Sequence, residues 1–370
     1  MRRWLRRLSV LALALGFAKG VHCGVTAAAP DEAERLAYLA RRLDRGELPG
    51  VAPGPPFDGE WLLVEHSFTI AAATNLAFRD PSQAQVRRAQ VKRWVDAMFA
   101  DEVRAFDTAK WGEDALRTLE GSNGHVGFLG HLAWALGASC LIGNGAHQRA
   151  GELAASLARR FDASPSALLE TYPGETYVPD NLVAVAGLAL DQRCHGDTRH
   201  EPTIHRFVEA LRRERLDADT GVLVFAPGQP GRGSGAAWMA YFFTFIDEAF
   251  ARAQFEALFR AFGVDVPLGA FAVREWPRGV DRPGDVDSGP LVLGLSPSGT
   301  GFALAGPAFT GDPARLRAML RTAEAVGTSG GGAERRYLLA PLVGDAIVLA
   351  TRTATAWPAP LPRAVDADRR

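Results

Sequence analysis

The chain has 370 residues, of which 47% are hydrophobic and 22% are charged, as in a folded protein with a substantial core. The 41 basic residues balance 42 acidic ones, and the net charge is −1. Because nucleic-acid binding needs a basic surface, this balance predicts no nucleic-acid partner.

The first thirty residues have the pattern of a signal peptide. Four arginines lie within the first seven residues, an apolar stretch follows over residues 8–18, and residues 25–27 form a cleavage box. The stretch is shorter than the ~20 residues that span a bilayer. We expect export to the periplasm or cell envelope, with residues 1–30 as the leader. The alternatives are a twin-arginine signal, lipidation at Cys23, or an uncleaved anchor, which would be the protein's membrane contact.

Three cysteines occur in the chain: Cys23, Cys140 and Cys194. Cys140 and Cys194 either form a disulfide in an oxidising compartment or remain buried thiols. His195 and His200 follow Cys194 but lack the second thiolate pair of a zinc site. The sequence therefore predicts no metal and no cofactor.

Two kinds of helical segment alternate along the chain. The amphipathic kind covers residues 31–45, 82–104, 146–161, 201–216, 251–262 and 312–326. The other kind is apolar on nearly every side and covers residues 61–78, 125–142, 181–190, 236–250, 290–304 and 338–351. A helix that is apolar all round must be buried on all sides, whereas an amphipathic helix covers a core with one face.

Six segments of each kind predict an all-α fold, an (α/α)6 toroid of six helical hairpins over residues 31–353. Pro297 and nearby glycines should break or kink the fifth inner helix, and residues 217–225 should form a tight turn and short extended segment, as a short β-hairpin on one rim. Ser82, Asp180 and Asp312 are candidate N-caps. The proline-rich residues 354–370 are expected to be a disordered tail.

Polar residues collect where the inner helices start. In this toroid the inner helices run parallel, so their N-terminal ends, which favour anionic and polar ligands, meet on one face. We expect the ligand to bind there, whatever its identity. The candidate ligand-binding residues are Glu65, His66, Asn123, His125, Tyr172, Tyr177, Asn181, Arg232 and Asp285.

Two stretches carry the candidate catalytic residues. YPGETYVPDN contains Glu175 and Asp180 between two tyrosines, and DVDSGP contains Asp285 and Asp287. Aromatic rings beside carboxylates suit sugars, whose C–H faces stack while their hydroxyls form hydrogen bonds. Asp180 and Asp287, with Glu175, are candidates for an acid–base pair, as in glycoside hydrolysis. The alternative is that these carboxylates only cap helices and the tyrosines pack on the rim.

These two stretches, YPGETYVPDN and DVDSGPLVLGLSPSGTGFAL, resemble exported bacterial members of the six-hairpin toroid superfamily. The superfamily includes glycoside hydrolases, uronyl hydrolases and sugar epimerases, and more remotely proteins similar to linalool dehydratase/isomerase. The glycosidase resemblance implies Asp180 and Asp287 as the acids, with Glu175 and Asp285 beside them. The dehydratase resemblance implies a cysteine near the site, but Cys140 and Cys194 lie toward the ends of their inner helices.

Three functions remain open from the sequence. The first is an exported hydrolase that acts on a glycan. The second is a dehydratase, isomerase or lyase of a small alcohol or terpenoid, which should have a narrow, dry pocket with few carboxylates. The third is a non-catalytic module that binds envelope glycan, whose acids should lie too far apart or be paired with arginine.

Overall fold

The computed structural model describes residues 18–47 and 54–362, together with the single residues 4 and 16. Six of its helices form an inner layer: α2 (Phe57–Arg79), α5 (Val126–Ser139), α7 (Val178–His195), α9 (Gly233–Phe243), α11 (Pro297–Ala303) and α14 (Leu342–Arg352). The other helices are α1 (Glu32–Asp44), α3 (Ala84–Ala97), α4 (Asp101–Trp111), α6 (Ala150–Ala163), α8 (Glu201–Glu214), α10 (Glu248–Phe262), α12 (Ala305–Thr310) and α13 (Pro313–Gly327).

The inner layer is a closed ring. Each inner helix packs against the next one along the chain, and the last, α14, packs against the first, α2. Amphipathic helices cover this ring from outside, for example α6 on α5 and α7, and α10 on α9. The predicted (α/α)6 toroid is therefore confirmed. Apart from isolated bridges, the β-structure of the described residues consists of two antiparallel pairs: β1 (Gly263–Val266) with β2 (Ala270–Val273), and β3 (Ser329–Gly330) with β4 (Arg336–Tyr337).

Small residues let the inner helices approach closely. A Cβ added to Gly187 of α7 would lie 2.7 Å from Ala133 Cβ of α5, and one added to Gly130 would lie 3.0 Å from the Ala184 backbone nitrogen. Both distances are shorter than a non-bonded contact between heavy atoms allows. The apolar segment Val126–Asn144 is long enough to cross a membrane, but it is mostly buried inside the ring, which accounts for its composition.

The structure corrects two predicted helices. Residues 82–104 do not form one helix, because the extended backbone at Ala100 (φ −69°, ψ 148°) separates α3 from α4. The fifth inner helix does not start at residue 290: the predicted segment is broken at Pro297, where the helix begins, with the Ser296 hydroxyl accepting a hydrogen bond from the Gly299 N–H (3.0 Å). Proline suits a first helical turn because that position needs no N–H donor.

One of the three predicted N-caps is found in the structure, and the predicted rim hairpin is only partly formed. Asp312 caps α13 by accepting from the Arg315 N–H (3.0 Å), whereas Asp180 lies inside the first turn of α7 and makes no cap. The Ser82 N–H donates to Asp80, so Asp80 is the capping residue there. Residues 217–225 form a tight turn with an isolated bridge between Leu216 and Leu223 in place of a full β-hairpin.

Residues 354–362 pack against the ring, contrary to the predicted disorder of the tail; residues 363–370 lie outside the described residues. Trp357 is buried against Trp134 and Phe245, and its indole N–H donates to Asn75 Oδ1 (2.8 Å). Asn75 lies near the C-terminal end of α2. The tail therefore covers the face of the ring where the inner helices end, because Trp357 packs against their apolar C-terminal parts.

Cys140 and Cys194 form a disulfide. Their Cα atoms are 5.9 Å apart, within the usual range for such a bond. The bond joins the C-terminal regions of two neighbouring inner helices, α5 and α7. Of the two alternatives left by the sequence, a disulfide or two buried thiols, the structure therefore has the disulfide. The third cysteine, Cys23, is a buried thiol.

The predicted leader falls partly outside the described residues, because most of residues 1–17 are not described. Residues 18–26 are helical, and the Lys19 ammonium donates to the Glu324 carbonyl oxygen (3.1 Å) and the Thr328 hydroxyl (2.6 Å). In this chain the segment therefore contacts the end of α13. The leader and its cleavage remain predictions.

A buried ion-pair network joins the first helix to the last hairpin. Arg35 of α1 donates to Asp31 (2.9 Å) and to Glu324 of α13 (3.1 Å), and its guanidinium lies 4.0 Å from the centre of the Tyr337 ring. Arg352 of α14 also binds Asp31 (2.9 Å). These charges are nearly inaccessible to water. Because a buried charge needs a partner, the network holds the two ends of the toroid together.

Replacing Arg35 by methionine should strongly destabilise the protein. Arg35→Met leaves Glu324 buried without its cationic partner, so we expect a loss of about 3–5 kcal/mol in the free energy of unfolding, measured by urea denaturation. Arg93→Met is the matched control, because Arg93 forms an exposed pair with Asp44 (3.0 Å) and should cost less than about 1 kcal/mol. Equal losses of unfolding free energy in the two variants would contradict a role of Arg35 in holding the two ends of the toroid together.

Candidate active site

One large cavity lies at the face where the inner helices begin. Its volume is about 740 Å3, and residues from the N-terminal parts of all six inner helices line it. That size is within the ~300–1,000 Å3 typical of small-molecule sites. The charged side chains that line it are Glu60, Lys110, Glu175, Asp180, Arg232, Asp285 and Asp287.

Asp180 is held in the first turn of α7. The Thr171 hydroxyl donates to Asp180 Oδ2 (2.7 Å). Burial raises the pKa of this carboxyl to about 7; the hydrogen bond from Thr171 opposes the shift, and the charges of Glu60 and Asp287 add to it. Since the pKa is close to neutral pH, Asp180 can hold a proton there and release it.

Asp287 comes from the loop between β2 and α11. Its side chain is half exposed, at 50%, because it faces the open cavity. Protein surrounds it on its other sides, and this burial, together with the neighbouring charge of Asp285, raises the pKa to about 6. The charge of Asp287 also raises the pKa of Asp180, so the two carboxyls are close enough to interact.

Asp285 and Arg232 shape the loop that carries Asp287. Asp285 accepts hydrogen bonds from the backbone N–H groups of Asp287 (3.1 Å) and Ser288 (3.0 Å). Arg232 binds both Asp285 oxygens (2.6 and 2.7 Å), and its Nε pairs with buried Glu275 (2.6 Å). Both residues were predicted as ligand contacts. Although they line the cavity, their charges are already paired, so they position Asp287.

Glu60 is a third carboxyl that the sequence reading missed. It lies in the first turn of α2, which begins four residues before the predicted segment. The Tyr172 hydroxyl donates to Glu60, and Lys110 lies 4.8 Å from the centre of the Tyr172 ring. Burial raises the pKa of Glu60. Glutamate is common in first helical turns, so its position alone does not mark Glu60 as a site residue. It could have been identified only because all the inner helices begin around one cavity.

The two tyrosines have different surroundings. Tyr172 is buried, whereas Tyr177 is partly exposed and donates its hydroxyl to Glu175 Oε2 (2.7 Å). The Tyr177 ring is tilted against Phe225, with 5.5 Å between ring centres. Trp61 and Trp238 also line the cavity, although the sequence did not single them out. The cavity therefore presents both aromatic surfaces and acids.

Glu65 and His66, which were predicted to bind ligand, lie on α2 and do not line the cavity. Glu65 is fully buried, neither of its oxygens has a hydrogen-bond partner in the described chain, and burial raises its pKa to about 8. The charges that act on it are those of Arg42 and Asp345, on α1 and α14. His66 binds the Leu62 carbonyl oxygen (2.8 Å). The side chains of Glu65 and His66 therefore project from sides of α2 that do not face the cavity.

Asn123, His125 and Asn181 were also predicted to bind ligand, and they do not line the cavity either. His125 is fully buried between Asp107 (2.7 Å) and Glu113 (3.1 Å). The Asn123 amide donates to Glu113 (2.8 Å), and the Asn181 side chain exchanges two hydrogen bonds with the Leu169 backbone (2.7 and 2.9 Å). Asn181 therefore satisfies buried backbone groups, His125 pairs with two carboxylates, and Asn123 forms an exposed hydrogen bond.

The structure thus brings together Glu175, Asp180, Asp287, Tyr172, Tyr177, Arg232 and Asp285 of the predicted residues. His131 is a further lining residue; it pairs with the Ser67 hydroxyl (2.8 Å), and burial lowers its pKa to about 3. It is therefore neutral at neutral pH. Within the described residues, no group of three histidine, cysteine or acidic side chains could hold a metal ion.

Neither known protein families nor curated protein sequences match this chain. Among solved structures, it is similar to unsaturated glucuronyl hydrolase from Bacillus sp. GL1, described as responsible for the degradation of glycosaminoglycan. The identity is 15%, the match covers 85% of this chain and 93% of that one, and the TM-score is 0.48. A likeness this distant says nothing about the reaction or its substrate.

Removing the Thr171 hydroxyl should raise the pKa of Asp180 above its present value. The hydroxyl stabilises the ionised carboxylate, so Thr171→Val favours the protonated form. The measurement is a carbon-13 NMR titration of the aspartate carboxyls, with Thr203→Val as control, because Thr203 binds Asp162 (2.8 Å) away from the cavity. An unchanged Asp180 titration in Thr171→Val would show that the hydrogen bond is absent in solution.

Proposed function

We propose that this protein is an exported enzyme that cleaves a glycosidic bond by proton transfer between Asp180 and Asp287. One observation carries the proposal: two carboxyls with raised pKa values share an open cavity. Among the described residues no arginine or lysine pairs with Asp180, and Arg232 lies 4.0 Å from Asp287 without a hydrogen bond to it. Paired acids whose environments differ are the usual machinery for such cleavage.

The two carboxyls take different roles. Asp180 has the higher pKa and donates its proton to the oxygen of the leaving group as the bond to the sugar breaks. Asp287, ionised and facing the open cavity, accepts a proton from the water molecule whose oxygen forms the new bond to the sugar. Water is consumed, and the proton returns to Asp180 through solvent. Aromatic rings such as Trp61 and Trp238 give the sugar surfaces to stack on.

The other two function classes fit less well. A dehydratase of the kind suggested by the sequence should have a narrow pocket with few carboxylates and a nearby cysteine. This cavity has several carboxylates, and no described cysteine lines it. A non-catalytic module should have its acids paired with arginine, which holds closely for Asp285, more loosely for Asp287 at 4.0 Å from Arg232, and not for Asp180. Export is supported by the arginine-rich, apolar N-terminal pattern.

Removing either carboxylate should nearly abolish hydrolysis. Asp180→Asn and Asp287→Asn each remove a proton-transferring group, so we expect kcat to fall by about 10²–10⁴-fold. The measurement is turnover of the substrate identified by screening the purified protein on a panel of glycans and aryl glycosides. Asp265→Asn is the control, because Asp265 is exposed on β1 outside the cavity. Full activity in Asp180→Asn or Asp287→Asn would overturn the roles assigned here.

The activity should depend on pH as a narrow bell. Asp287 must be ionised, so kcat/KM should fall as pH drops below about 6. Asp180 must be protonated, so kcat/KM should also fall as pH rises above about 7. A profile measured from pH 4 to 9 should peak between these values. A plateau that extends beyond pH 9 would contradict Asp180 as the acid.

A further inference from the structure

The cavity has two chemically different parts. All the charged side chains that line it belong to residues 60–287. The lining residues between positions 297 and 348 include no aspartate, glutamate, lysine or arginine in the described chain. We call this second part the uncharged arm. Proposed hydrolysis of a glycosidic bond involves only the charged part, so the uncharged arm needs a separate explanation.

The uncharged arm extends beyond the inner ring. It is lined by Phe302 of α11, by Val343, Ile347 and Val348 of α14, and by Val326 of α13. Because α13 belongs to the outer layer, the arm passes the inner helices and reaches the layer behind them. The fifth inner helix, α11, has only seven residues and therefore leaves room for this extension.

Exposed apolar side chains surround the arm. Leu339 and Val292 line the cavity and are 75% and 50% exposed, and their neighbours Leu338 and Leu293 are 54% and 90% exposed. Clustered exposed apolar residues are unusual on a soluble protein and mark binding sites. A sugar alone would not cover them, because its hydroxyl groups need hydrogen-bond partners that these side chains lack.

We propose that the substrate is an amphiphile whose sugar head lies among Glu60, Asp180 and Asp287 and whose alkyl or isoprenoid chain occupies the uncharged arm. The position of the head rests on the proposed function, whereas binding of the chain does not. The continuity of the cavity supports one ligand that spans both parts. Burial of each methylene group in an apolar site strengthens binding about fourfold, so the arm would contribute much of the affinity.

The test uses alkyl maltosides of increasing chain length, from hexyl to decyl, below their micelle-forming concentrations, with methyl maltoside as the chainless reference. Binding to the full chain is measured by isothermal titration calorimetry. We expect the Kd to fall about fourfold per added methylene. Affinity that does not change with chain length would overturn the proposal.

Two variants locate the chain. Gly344→Leu adds an apolar side chain at a residue that lines the arm, and its Cβ would have no neighbour nearer than 3.5 Å. Leu339→Glu places a charge at its exposed end. Each should reduce decyl maltoside binding at least tenfold while leaving methyl maltoside binding unchanged. Val86→Glu is the matched control, because Val86 is exposed on α3 outside the cavity. Equal chain dependence in all four proteins would place the alkyl chain elsewhere and overturn the proposal.

Two further measurements separate the remaining explanations. If a second copy of the chain covers the exposed apolar residues, sedimentation should show a dimer that Leu339→Glu dissociates without changing decyl maltoside binding, which would overturn the proposal. In Asp180→Asn and Asp287→Asn the dependence of binding on chain length should remain. If this dependence remains but the unmodified protein hydrolyses no glycoside, the proposed reaction is wrong. The proposal that the uncharged arm binds the alkyl chain is then still supported.

Discussion

The toroid depends on closure between its first and last hairpins. Six inner helices that are apolar on nearly every side bury their surfaces only if the ring has no open edge. Arg35 and Arg352 bind Asp31 at this junction, and Arg35 reaches Glu324 on α13. Ion pairs buried in this way add directional constraints that apolar packing lacks, since each charge accepts only a partner in the right place.

Closure also produces the chemical difference between the two faces of the ring. On one face Trp357 and its neighbours cover the apolar C-terminal parts of inner helices. On the other face all six inner helices begin around one cavity, so acids from distant parts of the sequence meet there. Burial, with a smaller contribution from neighbouring carboxylate charges, then raises the pKa values of Glu60, Asp180 and Asp287.

Neighbouring acids in the cavity have opposite pKa shifts, because Arg232 forms hydrogen bonds to Asp285 and not to Asp287. Arg232 neutralises Asp285, and the pKa of Asp285 is lowered despite its partial burial. Asp287, two residues later, has no hydrogen bond to that arginine, and its pKa is raised. The paired carboxylate fixes the loop, and its neighbour remains available for proton transfer. Glu275 pairs with the Nε of Arg232 and so holds the guanidinium in position.

The sequence by itself determined the toroid and the face that carries polar residues, because helical periodicity and the alternation of apolar with amphipathic segments are local properties of the chain. It did not determine which polar residues face the cavity. Glu65, His125 and Asn181 turn away and Glu60 turns inward, since helix rotation and the exact start of α2 depend on packing. The pairing of Arg232 with Asp285 and the bond between Cys140 and Cys194 likewise join residues far apart in sequence, and only the tertiary structure decided them.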